Sequence, residues 1–294
     1  MKHVFVAFLI VLTAVSCEES IPPVDFGKPG TILLFHGSES LSAPELPPAQ
    51  YRGILIEDLT GVRCNNCPEA AKSAKSVKDD SENNEVVILG LYTEGPKSLT
   101  GPHNNEIDMR TEAAQLIGTN IYNFGNLLPG GGVNRRAADG SASLNTTHTI
   151  WANMAETYKD EKTIVNLDVL KTQKDDSTVV FNCFATFTSV PEEQPFLTLL
   201  LLENGISHPQ TTPNGVDNEY IHDHVVRENI TPYNGMPLTV PDGDPIQVGS
   251  RIEVEYQVQL PEGLDLSNAS LAAFVNYNGE ENKEVIHCTE IKLK

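Results

Sequence analysis

Apolar and polar positions along the chain follow two rhythms. Between residues 51 and 160, apolar runs alternate with longer segments that lack breakers. Residues 54–59 (ILIEDL) and 86–92 (VVILGLY) are the runs. The second is continuous, the signature of a strand buried on both faces. Residues 69–78 (EAAKSAKSVK) are rich in Ala and Lys and predict a helix. Further helices are expected at 107–117 and at 147–158, around Trp151, and a short strand within 126–134, after Leu128-Pro129. This order, β-α-β-α-β-α, reads as an α/β unit. After residue 160 the pattern shortens. Strands are expected at 165–170, 178–188, 196–203, 222–227, 251–260, 270–277 and 283–292, separated by turn pairs such as Asn204-Gly205, Asn234-Gly235 and Asn278-Gly279. Such spacing predicts an antiparallel sandwich, here of immunoglobulin-like type, over 161–294.

The first residues differ from both patterns. Met1-Lys2-His3 precedes an apolar run at 4–15 (VFVAFLIVLTAV), which is shorter than the ~20 residues of a membrane-spanning helix. It reads as the hydrophobic region of a secretory signal over 1–16. The run ends in Ala14-Val15-Ser16-Cys17, which resembles a bacterial lipobox and makes Cys17 the expected lipidated terminus. The alternative is an ordinary signal with a free Cys17. Glu18-Glu19 resembles the surface-export signals of Bacteroidetes lipoproteins. The expected location is therefore the outer membrane, lipid-anchored, on its periplasmic or cell-surface side. Residues 17–50 hold Pro22, Pro23, Pro29, Pro44, Pro47 and Pro48 and read as an extended tether, in which Ile32-Leu33-Leu34-Phe35 is a candidate edge strand.

Charge changes the picture of partners. The 294 residues carry 40 Asp and Glu against 20 Lys and Arg, a formal charge of -20. Such a surface repels nucleic acid and anionic lipid. The imbalance is concentrated late, with 10 basic and 13 acidic residues in 51–159 but 8 and 22 in 160–294. The second half is thus a candidate surface for a protein partner, and Asp217, Asp242 and Asp244, all in turns, are candidate Ca²⁺ ligands. G-x-S-x-G, P-loop and dinucleotide patterns do not occur, and no cofactor is expected.

The chemistry sits at Cys64-Asn65-Asn66-Cys67-Pro68, between the first strand and the first helix. Unpaired amides and the dipole at a helix start favour a thiolate, the nucleophilic form. A second Cys one turn on can resolve a mixed disulfide. Ile54-Leu55-Ile56-Glu57-Asp58-Leu59-Thr60-Gly61 followed by this motif resembles thioredoxin-like domains. With Pro129-Gly-Gly-Gly-Val133-Asn134-Arg135, the later Tyr220-Ile-His222-Asp-His224-Val-Val-Arg227 and the β-rich tail, the chain from about residue 50 resembles the Omp28-related outer-membrane lipoproteins. The resemblance implies a thioredoxin-like domain over 51–160. It implies Cys64 as attacking thiol, Cys67 as resolving thiol, Asp58 as the buried acid assisting proton transfer (Glu57 if the register differs), and Pro129 as the cis-proline facing the disulfide. The partners implied are protein thiols and disulfides. The chain departs from the thioredoxin pattern in having Val62-Arg63 before the first Cys and Asn-Asn between the two.

Other readings stand beside this one. In an exported protein the Cys64–Cys67 bond can be purely structural, leaving the fold as a scaffold for binding or adhesion. Zinc would need a second pair of ligands that the sequence near the motif lacks. Cys183 and Cys288 are left over as an even pair, either a disulfide or two buried free thiols. His222 and His224 share a face if their segment is a strand, either as metal ligands or as satisfied structural histidines.

Overall fold

The computed structural model describes residues 30–103, 107–241 and 243–294. The expected signal, Cys17 and Asp242 lie outside them. In the first half, β1 (Thr31–Ser40), β2 (Ile54–Thr60), α1 (Cys67–Asp80), β3 (Val86–Tyr92), α2 (Lys97–Thr100), α3 (Glu112–Asn120), β4 (Gly130–Val133) and α4 (Trp151–Glu156) follow in order. The second half holds β5 (Val165–Gln173), β6 (Thr178–Phe187), β7 (Pro195–Glu203), β8 (Ile206–Ser207), β9 (Gln210–Thr212), β10 (Gly215–Asp217) and β11 (Ile221–His222). It ends with β12 (Val225–Asn229), β13 (Met236–Pro237), β14 (Ser250–Gln259), β15 (Ala269–Tyr277) and β16 (Val285–Lys292). The protein is mostly β-sheet with few helices.

Local chemistry sets several bounds. α3 starts later than the pattern suggests because the Thr111 hydroxyl accepts from the Ala114 N–H at 3.2 Å and caps the helix. The segment before it is held by Asp108, which accepts from both the backbone and the guanidinium of Arg110. Gly131 sits at φ +129, where a Cβ would come within 1.8 Å of the Glu57 carbonyl oxygen, so only glycine lets β4 lie against β2.

The large sheet has the order β16-β15-β7-β12-β3-β2-β4, with β13 added on β7. β2 and β3 are parallel, and β4 runs antiparallel to β2, placing Gly131 opposite Asp58. β12 joins β3 in parallel at Val225 and Gly90, where the Gly90 N–H donates to the His224 carbonyl at 2.7 Å. Strands from after residue 160 therefore extend the same sheet that β2 and β3 begin. This corrects the expectation of a self-contained immunoglobulin-like sandwich. A four-stranded antiparallel sheet, β1-β14-β6-β5, does pack face to face on β7 and β15, but its facing layer is continuous with the first half. The physical reason is visible in β7, where Leu197, Leu199 and Leu201 face the four-stranded sheet while Leu200 and Leu202 face the core around α3. A strand that is apolar on both sides belongs in the middle of a covered sheet.

β1 is the edge strand expected at residues 32–35, but it runs on through the expected tether to Ser40, pairing with β14 from Thr31–Val258 to Ser40–Ser250 with a bulge at Leu34. Around β2, side chains alternate. Ile54 and Ile56 meet Ala70, Ala74 and Trp151 of α1 and α4. Leu55 and Leu59 meet Ala114 and Ile117 of α3. Glu57 and Asp58, adjacent in sequence, consequently face opposite sides of the sheet.

Candidate functional site

β2 ends at Thr60 and the chain turns into Cys64 and Cys67, which form a disulfide. The turn is tied by Cys64 N–H to the Gly61 carbonyl at 3.0 Å and Cys67 N–H to the Cys64 carbonyl at 3.3 Å. α1 begins at Cys67 itself, with Asn66 as its N-cap and Pro68 in its first turn. Leu128-Pro129 is a cis peptide directly before β4, whose Gly130 pairs with Leu59. Pro129 thus lies at the same end of β2 as the disulfide.

Asp58 is 3% exposed and faces α1. Its Oδ1 has no hydrogen-bond donor. Burial raises its carboxyl to about 8, so the neutral acid prevails at pH 7. It opens on a cavity of about 280 Å³ that it shares with Cys67, Tyr92, Gln210, Tyr220 and His222. Glu57, the alternative acid, is engaged elsewhere. Arg135 donates to its two oxygens through Nε and Nη2, both at 2.8 Å, and the Tyr122 hydroxyl donates at 2.6 Å. That triad lies on the α3 side of the sheet and does not face the disulfide.

The second half supplies part of the site: His222, singled out in the sequence as a metal ligand or a satisfied structural histidine, lies beside the disulfide's cavity. His222 is 2% exposed, with Nδ1 2.7 Å from the Tyr92 hydroxyl and Nε2 3.0 Å from the His208 carbonyl. Both ring nitrogens are occupied. His224 sits at φ +58 between β11 and β12, so the two histidines do not share a strand face. No group of ligands suited to a metal occurs among the described residues. Asp217 accepts from the Glu219 N–H in a tight turn. Gln210 was the residue the sequence did not single out. Its Nε2 donates to the Cys64 carbonyl at 2.9 Å, across 146 residues of sequence, and only its position in a Pro- and Gly-punctuated stretch hinted at an irregular insertion.

Cys183 and Cys288 are free and buried, which overturns the second disulfide and leaves the alternative reading, two buried thiols. Cys183 lies between the two sheets, whereas Cys288 lies on the far face of the large sheet with Leu55 and Phe274. The layer between them keeps the sulfurs apart. Burial pushes the Cys183 thiol up to about 12 and that of Cys288 well above its ordinary value, so neither is a nucleophile at neutral pH.

Buried histidines and Asp58 together set a pH dependence. Burial lowers His222 and His287 to about 4 each. They remain neutral in the fold while the unfolded chain protonates near 6.5, so their contribution is complete above 6.5 and lost as pH falls toward 4. Asp58 works in reverse: its contribution is complete below about 3.8 and lost as pH rises through about 8. These three groups place maximal stability near pH 6.5, with about 1 kcal/mol lost by pH 5 and again by pH 8. Urea midpoints at the three pH values check this, and a curve rising steadily to pH 8 would contradict it.

Fold and site define a β-rich protein whose mixed sheet carries a cystine at the start of its first helix. The chain belongs to the outer membrane protein Omp28 family, whose model matches residues 120–294, and this membership places it at the outer membrane. It shares its fold with HBP35 of Porphyromonas gingivalis, at a TM-score of 0.64 and 15% identity over 84% of this chain and 76% of that one. A domain of the outer membrane lipoprotein Omp28 from Porphyromonas gingivalis also matches, at a TM-score of 0.30 and 15% identity, over 44% of this chain and 88% of that one. No curated protein matches this chain.

Proposed function

We propose that this protein is a lipid-anchored thiol–disulfide exchange protein acting on extracytoplasmic proteins, with Cys17 as its lipidated residue. In this reading β2, α1, β3 and the Pro129-preceded β4 form a thioredoxin-like unit. Cys64 attacks, Cys67 resolves, Asp58 exchanges a proton with Cys67, and Pro129 shapes the groove beside them. The observation that carries the reading is the buried Asp58 carboxyl, its Oδ1 without a donor, sharing a cavity with Cys67. A purely structural cystine has no use for a buried acid, which is costly to leave without a donor. The acidic second half then serves to hold or orient a protein partner.

One observation favours a second reading, a binding scaffold with a structural disulfide: Cys64 is only 2% exposed. The equilibrium potential of the Cys64/Cys67 couple separates the two. A value between about -270 and -120 mV is expected for exchange, and one below about -300 mV would mark a structural bond.

A further inference from the structure

We propose that the hairpin β9–β10 is a seal over the disulfide, and that Gln210 and Thr211 decide which reductants and substrates reach Cys64. The proposal rests on the thiol–disulfide reading and concerns the control of that same site.

Cys64 is 2% exposed although its neighbours Asn65 and Asn66 are exposed. The carbonyls on the Cys64 side of the turn are taken by the hairpin. Thr211 N–H donates to the Val62 carbonyl at 2.8 Å, and Gln210 Nε2 donates to the Cys64 carbonyl at 2.9 Å. His103 joins the contact, its Nε2 lying 3.3 Å from both the Val62 carbonyl and the Thr211 hydroxyl. From the other side, Arg63 fastens the turn by donating to the Gly101 and Pro102 carbonyls at 2.7 Å each. Gln210 is itself 2% exposed, and its Nε2 also donates to the Thr211 carbonyl at 2.9 Å and to the Gly61 carbonyl at 3.4 Å, so the amide joins the hairpin to the turn.

The hairpin is weakly held elsewhere. β9 and β10 pair only with each other, over three residues, and belong to neither main sheet. Gly215, Val216 and Asp217 are all exposed. A short ladder with an exposed outer strand is the kind of element that opens locally while the rest of the fold stays closed. The seal thus consists of a few hydrogen bonds between a rigid turn and a small, separable flap.

Its consequence is chemical. Reduction requires a thiolate to approach the Cys64 sulfur in line with the S–S bond. A bond forms between the entering sulfur and Sγ of Cys64, the Sγ–Sγ bond breaks, and the electron pair passes to Cys67, which takes up a proton. The second thiol of the entering dithiol then displaces Cys64, leaving two protein thiols and an oxidised dithiol. With the hairpin docked, the first approach is blocked. A small dithiol enters only when the flap lifts by itself. A protein partner gains entry by offering donors to the Val62 and Cys64 carbonyls in place of Thr211 and Gln210.

Thr211→Pro removes the N–H donor and Gln210→Ala removes the amide, and neither touches the cystine. The rate of Cys64–Cys67 reduction by dithiothreitol is expected to rise about tenfold in each, the factor for one lost hydrogen bond, while the equilibrium potential stays at the wild-type value. Rates equal to wild type in both variants would overturn the seal. If Thr211→Pro does not fold, Gln210→Ala decides alone. Insulin reduction, measured alongside, separates the two proposals. Faster reduction by dithiothreitol without insulin turnover in any form keeps the seal and ends the exchange reading. Insulin turnover with unchanged dithiothreitol rates keeps the exchange reading and ends the seal.

Discussion

Replacing Arg135 by leucine is expected to destabilise the protein by about 3–5 kcal/mol, because it strands a buried carboxylate. The side chains of Arg135 and Glu57 are 0% and 1% exposed. Glu57 would keep the Tyr122 hydroxyl as a donor but lose both charged hydrogen bonds. The loss also reaches the second half of the chain, since the Arg135 guanidinium lies 5.1 Å from the centre of the Phe274 ring in β15. Removing both charges is expected to be milder: Glu57→Leu with Arg135→Leu leaves no uncompensated ion, and well-packed apolar pairs often replace buried ion pairs at little cost. Urea denaturation of the two single variants and the double variant measures the coupling. A single-variant loss under about 1 kcal/mol would show that the pair is not isolated from water as its burial implies.

Cys64→Ser is expected to reduce disulfide exchange to the uncatalysed background, the largest effect on activity of any substitution considered. Serine cannot form the mixed disulfide on which the exchange depends. Cys67→Ser differs in kind, since Cys64 still attacks but is never released. A protein–substrate adduct should accumulate, visible as a mass increase that dithiothreitol reverses. Asp58→Asn should fold and retain the cystine, while the rate loses the inflection near pH 8 set by the buried carboxyl. Insulin reduction by Cys64→Ser at the wild-type rate would eliminate the proposed role of both cysteines.

The path from sequence to site was legible where the determinants are local. The bounds of β3 match the continuous run VVILGLY, and β14 shows the strict alternation that its sequence RIEVEYQVQ implies, with every second residue buried. The placement of Cys67 at the first residue of α1 follows from Pro68 and the helix-forming stretch after it. Pro129 in cis before a glycine strand was likewise readable from the motif.

Non-local pairing was not readable. Asp58 was named first from the sequence, with Glu57 as the alternative, but which of them faces α1 depends on the packing of β2, where Arg135, 78 residues away, holds Glu57 on the opposite face. The parity of the remaining cysteines suggested a bond between Cys183 and Cys288, yet sheet layering separates them. The run LTLLLL in β7 did carry a signal: its lack of alternation announces burial on both faces, which a two-sheet sandwich standing alone does not provide. His222 and Gln210 came to the site through an insertion between β7 and β12, and nothing periodic marks such an insertion.

The last strand also braces the first half. The Val285 N–H donates to the Asn134 carbonyl at 3.0 Å, Lys78 of α1 pairs with Glu290 at 3.0 Å, and the Glu290 N–H donates to the Glu85 side chain at 2.8 Å. The helix that begins at Cys67 therefore has its full support only when the chain is complete as far as residue 290. Assembly of the fold around the cystine is thereby tied to the completed chain rather than to its own segment.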